Sequence, residues 1–381
     1  MLPSLTIPKN LRNPNPTKAE FAAKLERVRA LLEEQGAEGL LIGKQPAFSW
    51  LSCGGEAHVP LTSDVAVARL LVTRDDVHAI ASTIEMPRLL DETLRGLKVT
   101  SHEHDWHDAN GARDLFKKIV DPKKVISDTG EWTSKNKPEL IAPLRWSFLP
   151  QEVKRYRELG RDAEAAVNAT CQTIEPGMSE FEIAGHLSAT CWLLELTPVV
   201  VLIAVDERIR KYRHPLPTDR KLKDTAMVVL SARRQGQIVA LTRLVRFDKV
   251  PTALRKRHRA VCAVDVALQQ STQPGAKVKD IFKRGVKEYQ DQGFGDEWQL
   301  HHQGGASGYM GREYLGSLKA KQVVQVNQPF AWNPSIAGTK SEDTLLATDK
   351  GVEIVTASKN WPMVSVEFEG QKFKRPDIQA L

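Results

Sequence analysis

The chain has 381 residues, of which 41% are hydrophobic and 27% charged, with a net charge of +7 and a pI near 9.1. That length predicts two domains, and the apolar content is enough to fill two cores. The excess of basic residues contains no block of five or more like charges and no nucleic-acid motif, so it reads as a solvated basic surface and not as a nucleic-acid footprint.

No run of eighteen apolar residues occurs in the chain, so no membrane span is expected. The first ten residues lack an apolar h-region, which argues against a secretory signal. Cys53, Cys171, Cys191 and Cys262 form no CxxC pair and no framework, as expected of reduced cysteines in a cytoplasmic protein.

Residues 18–36 predict an amphipathic helix. Phe21, Leu25, Val28, Leu31 and Leu32 recur at helical spacing, and Gly36 closes the segment. Gly39 to Gly43 reads as a short buried strand, followed by strands at Val65–Val72 and Val77–Ile80. Helices are expected near 85–96 and 111–119, so the first domain is α/β and ends near Pro150.

A long polar helix follows, from about Gln151 to Thr173. Ser179 and Glu182 form a capping box that opens a second helix running through Leu194. Strands alternate with turns from Val199 to Phe247, a helix pair covers roughly 251–292, and the last third is Gly- and Pro-rich strand and loop.

Several motifs resemble the creatinase/aminopeptidase P/prolidase (M24, pita-bread) superfamily. Phe48 to Gly55 and the Glu85-x-x-Arg88-Leu89 stretch are similar to landmarks of its N-terminal domain. Gly177-Met-Ser-Glu-Phe-Glu-Ile183 resembles the start of its second helix. Arg213-His214-Pro215 followed by Asp224 to Leu230 resembles the stretch bearing its active-site His. Asn333-Pro334 and Ser341-Glu342-Asp343-Thr344 resemble its last two metal-ligand motifs. The resemblance implies an N-terminal creatinase/prolidase-like domain over residues 1–150. A pita-bread domain over 151–381 follows, with a curved antiparallel sheet and flanking helices. It also implies a homodimer in which one subunit's N-terminal domain approaches the other's cleft.

Family peptidases hold two metal ions on two Asp, one His and two Glu. With Thr242-Arg243 as anchor, the resemblance places those positions at Val229, Ala240, Gly305, Asn333 and Glu342. Only Glu342 is retained. A shift of register does not restore the aspartates, because Met227 to Asp248 contains no Asp or Glu before Asp248 itself. Two bridged dications need hard oxygen donors, so no metal and no other cofactor is expected. A single ion on some new combination, such as His302, Glu342 and Asp343, is the alternative.

Creatinase, a metal-free relative by fold, uses a His at the position matched here by His214. The implied activity is hydrolysis or lysis of a C–N bond in a small carboxylate-bearing compound. His214 would act as acid/base, since an imidazole titrates near neutral pH, and Glu342 as its charge partner. Arg243, His302, Arg312, Glu313 and Asn333 are candidate substrate anchors, Arg312 because a guanidinium pairs with carboxylates in a fork. Trp332 and Tyr309 read as core aromatics or as pocket lining. Two other readings stay open. One is a catalytically inactive M24-like cleft that binds a short peptide or protein. The other is an Xaa-Pro aminopeptidase or dipeptidase with an atypical metal site.

Overall fold

The computed structural model describes residues 16–381; the N-terminal segment read above as lacking a signal lies outside them. The chain forms two compact units. The smaller runs to Glu152 and includes Arg234–Gln237, and the larger comprises Val153–Arg233 and Ile238–Leu381.

The smaller unit is built on a six-stranded sheet of β1 (Gly39–Lys44), β2 (Val65–Thr73), β3 (Val77–Ser82), β4 (Thr100–His104), β5 (Val125–Ser127) and β6 (Lys135–Asn136). Their order is β4-β3-β2-β1-β5-β6, antiparallel in the middle and parallel at both flanks. The helix Lys18–Gln35 is capped by the Thr17 side chain, which accepts from the Glu20 N–H at 3.1 Å, and it ends on Gly36 in the left-handed region. Its Lys24 is buried, and the ammonium is neutralised by Glu20 at 2.8 Å and Glu152 at 3.1 Å. The single helix expected over 85–96 is instead a short helical turn, Met86–Arg88, continued by a wider turn, Leu89–Thr93. Pro87, in its first turn, permits that start.

In the larger unit the helices Pro150–Cys171 and Glu180–Leu193 lie close to the predicted spans, and both hydrogen bonds of the Ser179–Glu182 capping box form. β7 (Thr197–Val205), β8 (Thr225–Arg234) and β9 (Gln237–Arg246) make one sheet with the terminal β19 (Gln379–Ala380), in the order β19-β9-β8-β7. A second sheet comprises β10 (Gly304–Ala306), β11 (Tyr314–Leu315), β12 (Gln328–Trp332), β15 (Asp343–Thr348) and β16 (Gly351–Ile354), all antiparallel. Two hairpins complete the unit: β13 (Ser335–Ile336) with β14 (Thr339–Lys340), and β17 (Met363–Phe368) with β18 (Gln371–Pro376). The helices Thr252–Ser271 and Val278–Asp291 cover the second sheet over a core that includes Val264, Leu268, Ile281, Phe330, Trp332 and Leu345.

The approach to β15 runs beside β9. The Thr242 N–H donates to the Glu342 carbonyl at 3.1 Å, and the Ala240 N–H donates to Thr344 Oγ1 at 2.7 Å. A buried ionic network fixes this segment. Arg375 binds Asp265 at 2.6 Å and Asp343 at 2.7 Å, and Arg243 binds Asp343 at 3.0 Å. Ser341 Oγ donates to Asp265, and Thr356 Oγ1 donates to Asp343 at 2.7 Å. The two guanidinium groups and two carboxylates balance, which offsets their loss of hydration.

Asp343→Ala leaves both guanidinium groups buried without their shared carboxylate. It is expected to cost about 3–5 kcal/mol, read as a shifted urea midpoint in the transition of the larger unit. Strand β10 is equally intolerant. Gly304 has φ +90°, and a Cβ there would lie 2.2 Å from the Ala331 carbonyl oxygen; a Cβ on Gly305 would lie 2.3 Å from that of Tyr314. Both obstacles are backbone atoms of neighbouring strands, so Gly305→Ala is expected to lower the melting temperature markedly or to abolish soluble expression.

Candidate functional site

His214 follows the short helix Glu207–Lys211, and His301 and His302 follow the helical turn Glu297–Leu300. These three imidazoles converge, with one ring nitrogen from each lying within 4.8 Å of the others. His214 Nε2 and His301 Nε2 share a hydrogen bond of 3.1 Å. His301 Nδ1 meets Ser335 Oγ at 3.2 Å, and His302 Nδ1 accepts from the Gly304 N–H at 3.3 Å. The Ser335 hydroxyl is itself held. Arg213 donates to it at 3.2 Å, and the Ser335 N–H donates to the buried Tyr289 hydroxyl at 2.9 Å. His301 is buried, His302 half-buried and His214 exposed.

The second part of the site surrounds Glu342, which is buried just before β15. Its Oε2 receives the Lys340 ammonium at 2.7 Å and the Thr242 hydroxyl at 2.7 Å, and its Oε1 lies 3.4 Å from the Arg312 guanidinium. Burial alone would push this carboxyl up. Lys340 and Arg312 outweigh that effect and hold it below its ordinary value, so Glu342 is a carboxylate.

The same cations act on the imidazoles. Burial lowers His301 to about 2, reinforced by Lys340 and by the other two rings. Burial, Arg312 and His214 bring His302 down to about 4. His214 is also lowered, by burial and Lys340, against an opposing pull from Glu342. All three rings are neutral at pH 7, so each retains a nitrogen lone pair.

The structure gathers some of the expected residues and separates others. His214 and His302 meet, and Glu342 meets Arg312. Arg243 does not join them. It is fully buried and pairs with Asp343 and the Thr356 carbonyl. Adjacent residues of a strand face opposite sides, so Thr242 reaches Glu342 while Arg243 turns into the ionic network. Arg243, expected as a substrate anchor, is instead held in that network. Asn333 is buried, and its Oδ1 has no hydrogen-bond partner among the described residues. Glu313 lies half-buried, and its charge acts on the Tyr156 and Tyr314 phenols. Trp332 is core, donating from Nε1 to Thr272 at 2.9 Å, and Tyr309 is buried.

Two residues were missed: Lys340 and His301. Lys340 precedes Glu342 by two positions, the spacing that puts both on one face of an extended segment. His301 carried no signal beyond its adjacency to His302.

The donor set tests the paired metal centre that the resemblance brings with it. Val229 packs in an apolar cluster with Leu202, Met227 and Leu244. Ala240 offers only a methyl, and Gly305 has no room for a side chain. Among the described residues, the three imidazoles are the one group of three or more His, Cys, Asp or Glu side chains whose ligand atoms converge. No carboxylate bridges two ions here, and the one carboxylate of the site already binds two side-chain cations. A carboxylate-bridged pair of divalent ions does not fit these residues.

Comparison with known proteins places the chain in a family. An uncharacterized peptidase of Staphylococcus aureus strain MW2 is 24% identical over 228 residues, which is 57% of this chain and 64% of that protein. The chain thus spans just under two thirds of the length of the curated relatives it matches. Among solved structures, the prolidase from Pyrococcus horikoshii OT3 superposes with a TM-score of 0.74 at 17% identity, covering 88% of this chain and 98% of that one. The N-terminal domain of the FACT complex subunit SPT16 from chickpea, Cicer arietinum, superposes with a TM-score of 0.67 at 12% identity, covering 88% and 96%. Both likenesses establish the pita-bread fold. The model of metallopeptidase family M24 matches residues 154–349, more than half of the sequence, and the chain belongs to that family.

Proposed function

We infer that this chain hydrolyses a C–N bond in a small carboxylate-bearing compound, with His214 as acid/base and side-chain cations where family peptidases use paired metals. The observation behind this reading is the Lys340 ammonium, 2.7 Å from Glu342 Oε2, with Arg312 on the other oxygen. Two cations, one carboxylate and three neutral rings leave the cleft one positive charge in excess, which favours an anionic substrate. Arg312 Nε has no partner among the described residues and can donate to a substrate oxygen, and Asn333 Oδ1 can accept from a substrate N–H.

A proton path fits the imidazoles. With Ser335 Oγ accepting from His301 Nδ1–H, His301 Nε2 accepts from His214 Nε2–H, and His214 Nδ1 is left with its lone pair. That nitrogen takes a proton from water while the water oxygen bonds to the substrate carbon. As the C–N bond breaks, the electron pair goes to nitrogen and His214 returns the proton to it. Lys340 and Arg312 stabilise the negative charge that develops on the substrate oxygen.

A second reading, a non-catalytic cleft that binds a short peptide, draws on the same neutralised carboxylate. A third, an Xaa-Pro peptidase with an atypical metal site, draws on the family. An assay across amide, amidine and Xaa-Pro substrates, with and without EDTA, separates the three. Turnover that survives EDTA is expected; turnover abolished by EDTA overturns the metal-free reading, and none across all classes favours the binder.

On a turned-over substrate, His214→Asn is expected to lower kcat by about 10²–10⁴-fold, the usual weight of general acid–base catalysis. Unchanged kcat removes His214 from the mechanism. Lys340→Met is expected to lower kcat/KM by about 10²-fold, with Lys340→Arg recovering part of the loss. Equal activity in all three proteins would mean that Lys340 only neutralises Glu342.

A further inference from the structure

We propose that His214, His301 and His302 form a site for one borderline divalent transition-metal ion, with Zn²⁺ as the type case, and that its occupancy switches off His214 as a proton carrier. The binding stands on geometry alone; the inhibition rests on the function inferred above.

The spacing is already close to that of ligands on one ion. Zn–N bonds run about 2.0–2.1 Å, so two imidazole nitrogens on a tetrahedral ion sit about 3.4 Å apart. His214 Nε2 and His301 Nε2 are 3.1 Å apart, and all three ligand atoms fall within 4.8 Å. The ion would take the place of the proton now shared by the two Nε2 atoms, and the His214 hydrogen would move to Nδ1. No net proton change and no redox step are required.

The pocket also has the support that imidazole sites use. A ligating His commonly gives its second nitrogen to an oxygen, which fixes ring and tautomer. Ser335 Oγ does this for His301 at 3.2 Å, and it is anchored through Tyr289 and Arg213. His302 would give up only the long 3.3 Å hydrogen bond from Gly304. His214 is exposed and free to turn the remaining distance, and it leaves the fourth position open to water or an anion.

The donor set selects the metal. Three imidazoles and no carboxylate suit Zn²⁺, Ni²⁺, Co²⁺ or Cu²⁺ and are poor for Mg²⁺, Ca²⁺ or Mn²⁺. Lys340 and Arg312 oppose any cation here, and Glu342 offsets only one of them, so binding should be reversible and weaker than in a structural zinc site. With the ion on Nε2 and the hydrogen moved to Nδ1, His214 keeps no lone pair with which to act as a base. The site would therefore make the enzyme sensitive to free transition metal, the reverse of a metal-activated peptidase.

The test is calorimetric titration of the full chain, free of any His tag, with ZnCl₂ and separately with MgCl₂. Wild type, His301→Asn, Ser335→Ala and His186→Asn are compared, each first shown to be folded by thermal melting. About one equivalent of Zn²⁺ and no Mg²⁺ is expected. Affinity should fall at least about tenfold in His301→Asn and by a smaller factor in Ser335→Ala, and stay unchanged in His186→Asn, whose ring meets the Thr173 hydroxyl at 3.2 Å. Co²⁺ should give the visible absorption of a tetrahedral ion. Less than a tenth of an equivalent in wild type, or equal affinity in His301→Asn, would overturn the site. None of these readouts needs a substrate, so failure of the C–N hydrolase reading leaves them intact. If a substrate is turned over and one bound Zn²⁺ leaves the rate unchanged, the inhibitory role falls while the function stands.

Discussion

The larger unit depends on one interaction: the buried carboxylate of Asp343 held between Arg243 and Arg375. Through it, β9, β15, β18 and the helix Thr252–Ser271 meet at one point, with Asp265 as the fourth charge. Isolated, any of these ions would be costly to bury; together they satisfy one another and tolerate little displacement. Thr356 and Ser341 occupy remaining lone pairs of the two carboxylates. The backbone from Ser341 to Thr344 is thereby pinned from one side.

That pinning is what presents Glu342. Its neighbours Ser341 and Asp343 point into the network, so alternation turns Glu342 the other way, towards Thr242, Lys340 and Arg312. The same alternation explains the fates of Thr242 and Arg243 across the gap. A structural network and the candidate site thus lie on opposite faces of the same residues. Their charge logic differs accordingly. The network carries no net charge, while the cleft has a surplus cation; among the described residues Arg243 Nε in the network and Arg312 Nε and Asn333 Oδ1 in the cleft lack hydrogen-bond partners. The surplus charge beside an unmet donor and an unmet acceptor is what distinguishes the cleft from the network.

Much of the architecture was legible because it rests on local rules. The helix starting after Thr17 and ending on Gly36, the capping box at Ser179, and the absence of acids between Met227 and Asp248 are all readable without neighbours. The candidacy of His214, His302, Glu342 and Arg312 came from superposing motifs on a known family, which did not say that His214 would meet His302. The residues that escaped are those whose meaning is tertiary. His301 becomes notable only when the loop after Lys211 brings His214 to within 3.1 Å of it. Lys340 had a signal in its two-residue offset from Glu342, but that offset matters only if the segment is extended, and the Ala337-Gly338 turn just before it concealed this. Arg243 misled for the converse reason: its position beside Thr242 is close in sequence and opposite in space.

The position that the family resemblance assigns to a His ligand shows why these features go together. Gly305 lies in β10 with β11 on one side and β12 on the other, and a Cβ would strike the Tyr314 backbone. A His there would require β11 to move, and Arg312 is reached by the same connection between β10 and β11. Restoring an imidazole at 305 would therefore disturb the guanidinium that now balances Glu342. Restoring a metal beside Glu342 would meet the Lys340 ammonium at 2.7 Å. Narrow strand spacing, side-chain cations and imidazoles displaced to 301 and 302 form one mutually consistent set. No single substitution converts it to a carboxylate-bridged metal centre, because Val229, Ala240, Gly305 and Asn333 all stand where the resemblance places a ligand.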